Sequence, residues 1–115
     1  MTMLFYHGTS EESWKAIQEE GILYGRRFIT DGHGNIIKEV QRCTYLTPMI
    51  EEAMCYGQVI LEVKYDPSRK GAKNNYIDGC WQVRIYEPID ITDVHRMNGA
   101  EVEAEYNKRK EDLCI

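Results

Sequence analysis

The run Tyr6-His7-Gly8-Thr9-Ser10 sets a histidine and a glycine between an apolar segment and the start of a helix. A helix needs a cap at that point, and Thr9 or Ser10 supplies one. It needs no histidine. A neutral imidazole donates from one ring nitrogen and accepts at the other, so His7 is equipped to hold a hydroxyl. By itself the dipeptide specifies no reaction.

The other residues with chemistry to offer are scattered. Cys43, Cys55, Cys80 and Cys114 form no C-x-x-C pair, so no metal site is expected. Four free thiols fit a reducing compartment. Arg26, Arg27, Arg42, Arg69 and Arg84 carry the guanidinium fork that suits phosphate. The sequence ranks none of them above the rest, and each reads as a solvated surface charge. His33 in a Gly-rich turn and His95 near Asp93 read as surface residues too.

The elements that must position these groups follow from pattern. Met3 to Tyr6 reads as a short buried strand. Thr9 to Glu12 fits a T-x-x-E capping box, and the helix it opens runs to about Glu20 with Trp14 and Ile17 on one side. Gly21 ends that helix in a left-handed cap. Within residues 23–41, "TDGHGN" is a turn, and the flanking "RRFI" and "IIKEV" read either as hairpin strands or as a mobile loop, a candidate lid. Thr44 to Thr47 looks like a short strand. Thr47-Pro48 then caps a helix that stops at Gly57.

"QVILEVKYD" is the clearest strand, with Val59, Leu61, Val63 and Tyr65 alternating with more polar neighbours. Pro67 to Asn75 reads as a polar, basic loop. "CWQVRIYE" reads as a strand and "IDITDV" as the last one. Asn98 to Glu101 repeats the capping-box pattern before a charged helical tail docked by Val102, Tyr106 and Leu113. Short helices among strands give an α+β class.

The chain has 115 residues and 43% hydrophobic content, which fits one domain with a modest core. No run of eighteen apolar residues marks a membrane span, and the start "MTMLFY" lacks the pattern of a secretion signal. A cytoplasmic location and no membrane partner are therefore expected. The formal net charge of -5 disfavours a nucleic-acid partner, because a sequence-independent grip on phosphates needs a basic face.

The block "HGTSEESWKAIQEEGI" resembles the opening of the diphtheria-toxin-like ADP-ribosyltransferase superfamily. Poly(ADP-ribose) polymerase catalytic domains and RNA 2′-phosphotransferases belong to it. A His-Gly pair there ends a strand, and a helix leads to a Gly-apolar pair; His7 and Gly21-Ile22 match that order. "CTYLTPMIEEAMCYG" is similar to the polymerase segment in which a second tyrosine follows eleven residues after the first, as Tyr56 follows Tyr45. "WQVRIYEPIDITDV" is similar to the strand that carries the family's catalytic acid. The three blocks cover about two fifths of the chain.

The resemblance implies an ADP-ribosyltransferase fold over residues 1–115, a split, antiparallel-rich β-sheet core with short flanking helices. It implies NAD as substrate and transfer of one ADP-ribose to a macromolecule, a protein above all. His7 would hydrogen-bond a ribose hydroxyl, and the bare backbone of Gly8 would meet the nicotinamide carboxamide. Tyr45 and Tyr56 would sandwich the nicotinamide ring, and Thr9 or Ser10 would add a contact on the adenosine side. His7, Tyr45 and Gln82 take the catalytic positions. Gln82 aligns with a glutamate that stabilises positive charge at the anomeric carbon, and a glutamine has no charge to give. Glu87 and Asp78 are the reserve acids. Two alternatives stay open: an RNA 2′-phosphotransferase-like enzyme, although "QRCTYLT" stands where that family has an R-x-H-x-H-L-S-like segment, and a non-catalytic nucleotide-binding module of the same fold.

Overall fold

The computed structural model describes residues 1–77 and 80–113, with side chains throughout except at 75–77, 80, 81, 112 and 113. Ten strands, three helices and a 3-10 turn alternate along the described residues. The chain opens with β1 (Met3–Thr9), α1 (Glu11–Glu20), β2 (Ile22–Leu23), β3 (Arg27–Thr30), β4 (Ile36–Val40), β5 (Thr44–Leu46) and α2 (Ile50–Met54). It continues with β6 (Val59–Tyr65), β7 (Ala72–Ile77), β8 (Cys80–Ile85) and β9 (Ile89–Asp90), then the 3-10 turn Ile91–Asp93, β10 (Val94–Arg96) and α3 (Gly99–Leu113). The class is mixed α and β, rich in antiparallel strands.

Two three-stranded sheets form the frame, in the orders β1-β6-β10 and β5-β8-β7, and every pairing is antiparallel. They touch through one bridge, between Tyr6 of β1 and Thr47 just past β5. Beyond it the sheets part. Their inner faces share a core of Phe5, Leu61 and Val63 from the first sheet with Leu46, Val83 and Ile85 from the second, and α1 adds Trp14 and Ile17. A second cluster on the opposite face of β1 and β6 joins Tyr6, Ile50, Ala53, Ile60 and Met97. This second cluster explains why Ile60 is buried although it breaks the alternation read from β6: α2 and α3 cover the face that the pattern left to solvent.

Several boundaries differ from the sequence expectation. Thr9 caps nothing; it ends β1 opposite Val59, and Ser10 is the cap, accepting from the Ser13 N–H at 3.1 Å. The strand claims Thr9 because its backbone pairs with β6, and that moves the cap one residue on. Thr47 likewise gives its backbone to Tyr6, so α2 begins at Ile50, and the Thr47 hydroxyl oxygen accepts from the Met49 N–H at 3.1 Å. The expected basic loop at 67–75 is shorter, because β7 starts at Ala72 and pairs with β8. "IDITDV" is no single strand: Asp90 caps a 3-10 turn between β9 and β10.

Other expectations hold. Residues 27–40 form a hairpin closed by Asp31, whose carboxylate accepts from the N–H groups of His33 at 2.7 Å and Asn35 at 3.0 Å. Asn98 and Glu101 cap α3 reciprocally, at 2.8 and 3.0 Å. Among the described residues no helix is long and apolar enough to cross a membrane.

Candidate functional site

The parting of the two sheets opens a cavity of about 390 Å³ lined by Tyr6, His7, Gly8, Tyr45, Leu46, Thr47, Ala53, Tyr56 and Gln82. Four separate stretches of chain meet there: β1, β5 with its exit, α2 with the turn that follows it, and β8.

Backbone parity explains why Gly8 faces this space. Tyr6 donates its N–H to the Thr47 carbonyl at 2.7 Å and accepts from the Thr47 N–H at 3.0 Å. Along a strand such groups alternate sides. Gly8, two residues on, therefore turns its N–H and C=O toward the second sheet. A continued ladder would pair Gly8 with Tyr45, but among the described residues the backbone bridge between the sheets lies at Tyr6 and Thr47. The Tyr45 carbonyl is taken instead by the His7 ring, with Nδ1 at 2.8 Å.

That contact fixes the state of His7. A carbonyl only accepts, so Nδ1 carries the proton and Nε2 is left as the acceptor. Burial lowers the His7 pKa below its ordinary 6.5, and the Tyr45 carbonyl opposes the shift without reversing it. His7 is thus a neutral ring. Burial also pushes the phenol of Tyr6 up to about 12, helped by the carboxylates of Glu105 and Glu62. The described lining residues then carry no formal charge, and the cavity offers a ligand ring faces and dipoles in place of ions.

The aromatic walls come from opposite sides. Tyr45 of β5 is 42% exposed and Tyr56, in the turn after α2, is 62% exposed. Two glycines place that turn. A Cβ on Gly8 would stand 1.9 Å from the Ala53 carbonyl oxygen, and one on Gly57 would stand 2.2 Å from the Thr9 carbonyl oxygen. Only bare backbone lets α2 and its exit lie this close to β1. Gly8 therefore has a packing reason to be glycine beside any role toward a ligand. Gln82 reaches the cavity from β8, where its Nε2 donates to the Tyr56 hydroxyl oxygen at 3.2 Å.

Of the residues singled out in the sequence, His7, Gly8, Tyr45, Tyr56 and Gln82 come together here. Thr9 and Ser10 do not line the cavity; Thr9 is held in the β1–β6 ladder and Ser10 caps α1. Glu87 is elsewhere as well. It borders a different cavity, where it accepts from the Tyr65 hydroxyl at 2.6 Å and from Arg69 at 2.5 and 3.2 Å. Asp78 lies outside the described residues. No residue of 23–41 lines the cavity. Arg26 pairs with Glu39, Arg42 bonds Glu20 and the Tyr24 carbonyl, and Arg84 lies over the Tyr86 ring. Cys43 and Cys55 are free thiols.

Sequence reading missed the roles of Tyr6 and Thr47, whose mutual backbone pair forms the closed end of the cleft. The signal was available only for Thr47, and there it pointed to a helix cap. Comparison of this chain with protein-family models, curated proteins and solved structures finds no match.

Proposed function

We propose that this chain is a minimal mono-ADP-ribosyltransferase that takes NAD as substrate and moves one ADP-ribose to a macromolecule, a protein above all. The observation that carries the reading is the meeting of His7, Gly8, Tyr45, Tyr56 and Gln82 in one neutral cleft where two antiparallel sheets part. A split core of this kind also supports an ADP-ribosyltransferase fold, and the net charge of -5 favours a protein over a nucleic acid as acceptor.

The residues fit the nicotinamide end of NAD. The Gly8 N–H and C=O form a donor–acceptor pair complementary to a carboxamide. Tyr45 and Tyr56 offer ring faces to a flat pyridinium, a stack that cation–π attraction strengthens before the bond breaks. Nε2 of the neutral His7 accepts from a ribose hydroxyl. The Gln82 amide oxygen accepts from a second hydroxyl nearer the anomeric carbon. None of the described lining residues is lysine or arginine, so the pyrophosphate would lie outside the cavity.

In the reaction the C1′–N glycosidic bond breaks and its electron pair stays with nicotinamide, which leaves neutral. The nucleophilic atom of the acceptor bonds C1′, and its proton passes to solvent. Positive charge on the sugar peaks between these events. With no carboxylate among the described lining residues, dipoles alone meet that charge there, and turnover is slow. Gln82 is also the observation that favours a second reading, a module that binds NAD without cleaving it.

The test uses purified protein, NAD labelled on the adenine ribose and a lysate, with His7→Ala as control. His7-dependent label in the protein fraction supports the transferase. Tight NAD binding without nicotinamide release supports the binding module. Release of ADP-ribose 1″,2″-cyclic phosphate from a 2′-phosphorylated RNA would replace both with phosphate transfer.

A further inference from the structure

We propose that Tyr56 is a positioning residue for Gln82: its hydroxyl, by holding Nε2, turns the amide oxygen toward the sugar. The inference rests on the transferase reading and adds a role that ring stacking does not require. A glutamine amide has two unlike ends. Only Oε1 accepts from a ribose hydroxyl, while Nε2 has only donors. Rotation about the last side-chain bond exchanges them, and that torsion is broad and nearly two-fold. A glutamate has no such problem, because either oxygen accepts. A glutamine at this position therefore needs a neighbour that tells its two ends apart.

Tyr56 is the neighbour that holds one of these ends in the structure. Gln82 Nε2 lies 3.2 Å from its Oη, and both side chains line the one cavity. With Nε2 held there, the planar amide turns Oε1 the other way. The phenol is 62% exposed, so its own proton is free to go to solvent and its oxygen is free to accept. In the opposite arrangement the Tyr56 O–H would donate to Oε1, and the two N–H donors of the amide would face the sugar hydroxyl. The ring of Tyr56 and its hydroxyl thus serve two separate steps, the ring for binding and the oxygen for orientation.

Four proteins test this: wild type, Tyr56→Phe, Gln82→Glu and the double variant. Phenylalanine keeps the ring, so NAD affinity by calorimetry stays within about twofold. Loss of one orienting hydrogen bond lowers the rate constant for nicotinamide release about tenfold in the Gln82 background. In the Gln82→Glu background the same change lowers it only about twofold, because a carboxylate has no wrong end. A second readout needs no turnover. The side-chain amide resonances of Gln82 in ¹⁵N-labelled protein, identified by their loss in Gln82→Ala, shift in Tyr56→Phe. Equal losses in both backgrounds, or amide resonances that do not move, overturn the proposal. Absence of nicotinamide release from wild type and Gln82→Glu alike overturns the transferase reading instead, and the amide resonances then decide the positioning alone.

Discussion

His7 takes, through Nδ1 at 2.8 Å, the Tyr45 carbonyl that a continuing ladder between β1 and β5 would have given to Gly8. The histidine thus works as a wedge before it works as a ligand group. It satisfies the edge of β5, keeps the sheets apart and leaves the backbone groups of Gly8 facing the cavity. The ring gives the Tyr45 carbonyl a partner where the ladder supplies none.

This relationship predicts the behaviour of one amide proton. In wild type the Gly8 N–H exchanges quickly with solvent, and NAD slows it by pairing it with the carboxamide. In His7→Ala the Tyr45 carbonyl is released, the ladder extends to Gly8, and the same amide becomes protected without ligand. Hydrogen exchange read residue by residue by NMR checks both. A Gly8 amide already protected in ligand-free wild type would sink the wedge account.

The protonation state of His7 gives a pH prediction. Burial is the main cause of its lowered pKa, with the Tyr45 carbonyl acting against it. The unfolded chain therefore takes up a proton near the ordinary 6.5, while the folded chain resists until lower pH. Between those two values the unfolded state binds more protons, so stability rises with pH across this window and falls on acidification through it. NAD binding follows the same direction, because a protonated Nε2 no longer accepts. Urea midpoints and NAD affinity, measured from pH 8 downward, are flat above 6.5 and decline below it in wild type. The decline in affinity disappears in His7→Ala. An affinity that increased on acidification would contradict the acceptor role.

Much of this arrangement was legible in the sequence, and the part that was not has a physical reason. His7, Gly8, Tyr45, Tyr56 and Gln82 could be picked out because their spacing resembles a known pattern. Their distances could not, because the β1–β5 bridge, the register of β5 on β8 and the crossing of α2 over Gly8 are all long-range. Local signals also lost to tertiary ones in a consistent way. Thr9 and Thr47 both look like helix caps, and both surrender their backbones to strands. Ile60 reads as outward-facing and is buried because α2 and the distant α3 pack over it. Where a signal was local and unopposed, as in the Asn98–Glu101 box and the Asp31 turn, pattern and structure agree. Glu87 was a credible acid from sequence alone; the structure shows it held by Arg69 and Tyr65 at a different cavity.

The close approach of α2 to β1 predicts a sharp contrast among glycine substitutions. In Gly8→Ala the new methyl meets the Ala53 carbonyl, and in Gly57→Ala it meets the Thr9 carbonyl, both backbone atoms that yield only if the helix moves. Each change costs about 2 kcal/mol or more by overpacking, which for a domain of this size lowers Tm by roughly 10 °C. Gly32→Ala, with nothing within 4 Å of the added carbon, leaves Tm unchanged. Calorimetric scans rank the three. Because the shift also moves Tyr56, Gly57→Ala weakens NAD binding even at temperatures where it is folded.

The strongest test of the chemistry is the pair Gln82→Glu and Glu87→Gln. Gln82 lines the cleft and is the residue nearest in kind to the acid that the reaction lacks. Replacing its amide by a carboxylate adds a full negative charge where positive charge develops on the sugar. One well-placed electrostatic group of this sort changes turnover by roughly tenfold to a hundredfold or more, so Gln82→Glu is expected to accelerate nicotinamide release by that order, while NAD affinity, which the proposed function assigns to His7, Gly8 and the two tyrosines, changes little. Glu87 already carries a charge but is bound by Arg69 and Tyr65 at a different cavity, and its pKa is lowered first by Arg69 and then by Tyr65. Glu87→Gln therefore lowers Tm by a few degrees and leaves nicotinamide release unchanged. If Glu87→Gln abolished turnover and Gln82→Glu did nothing, the acid would have to reach the sugar from β8's far side, and Gln82 would be no more than a strand residue paired with Tyr56.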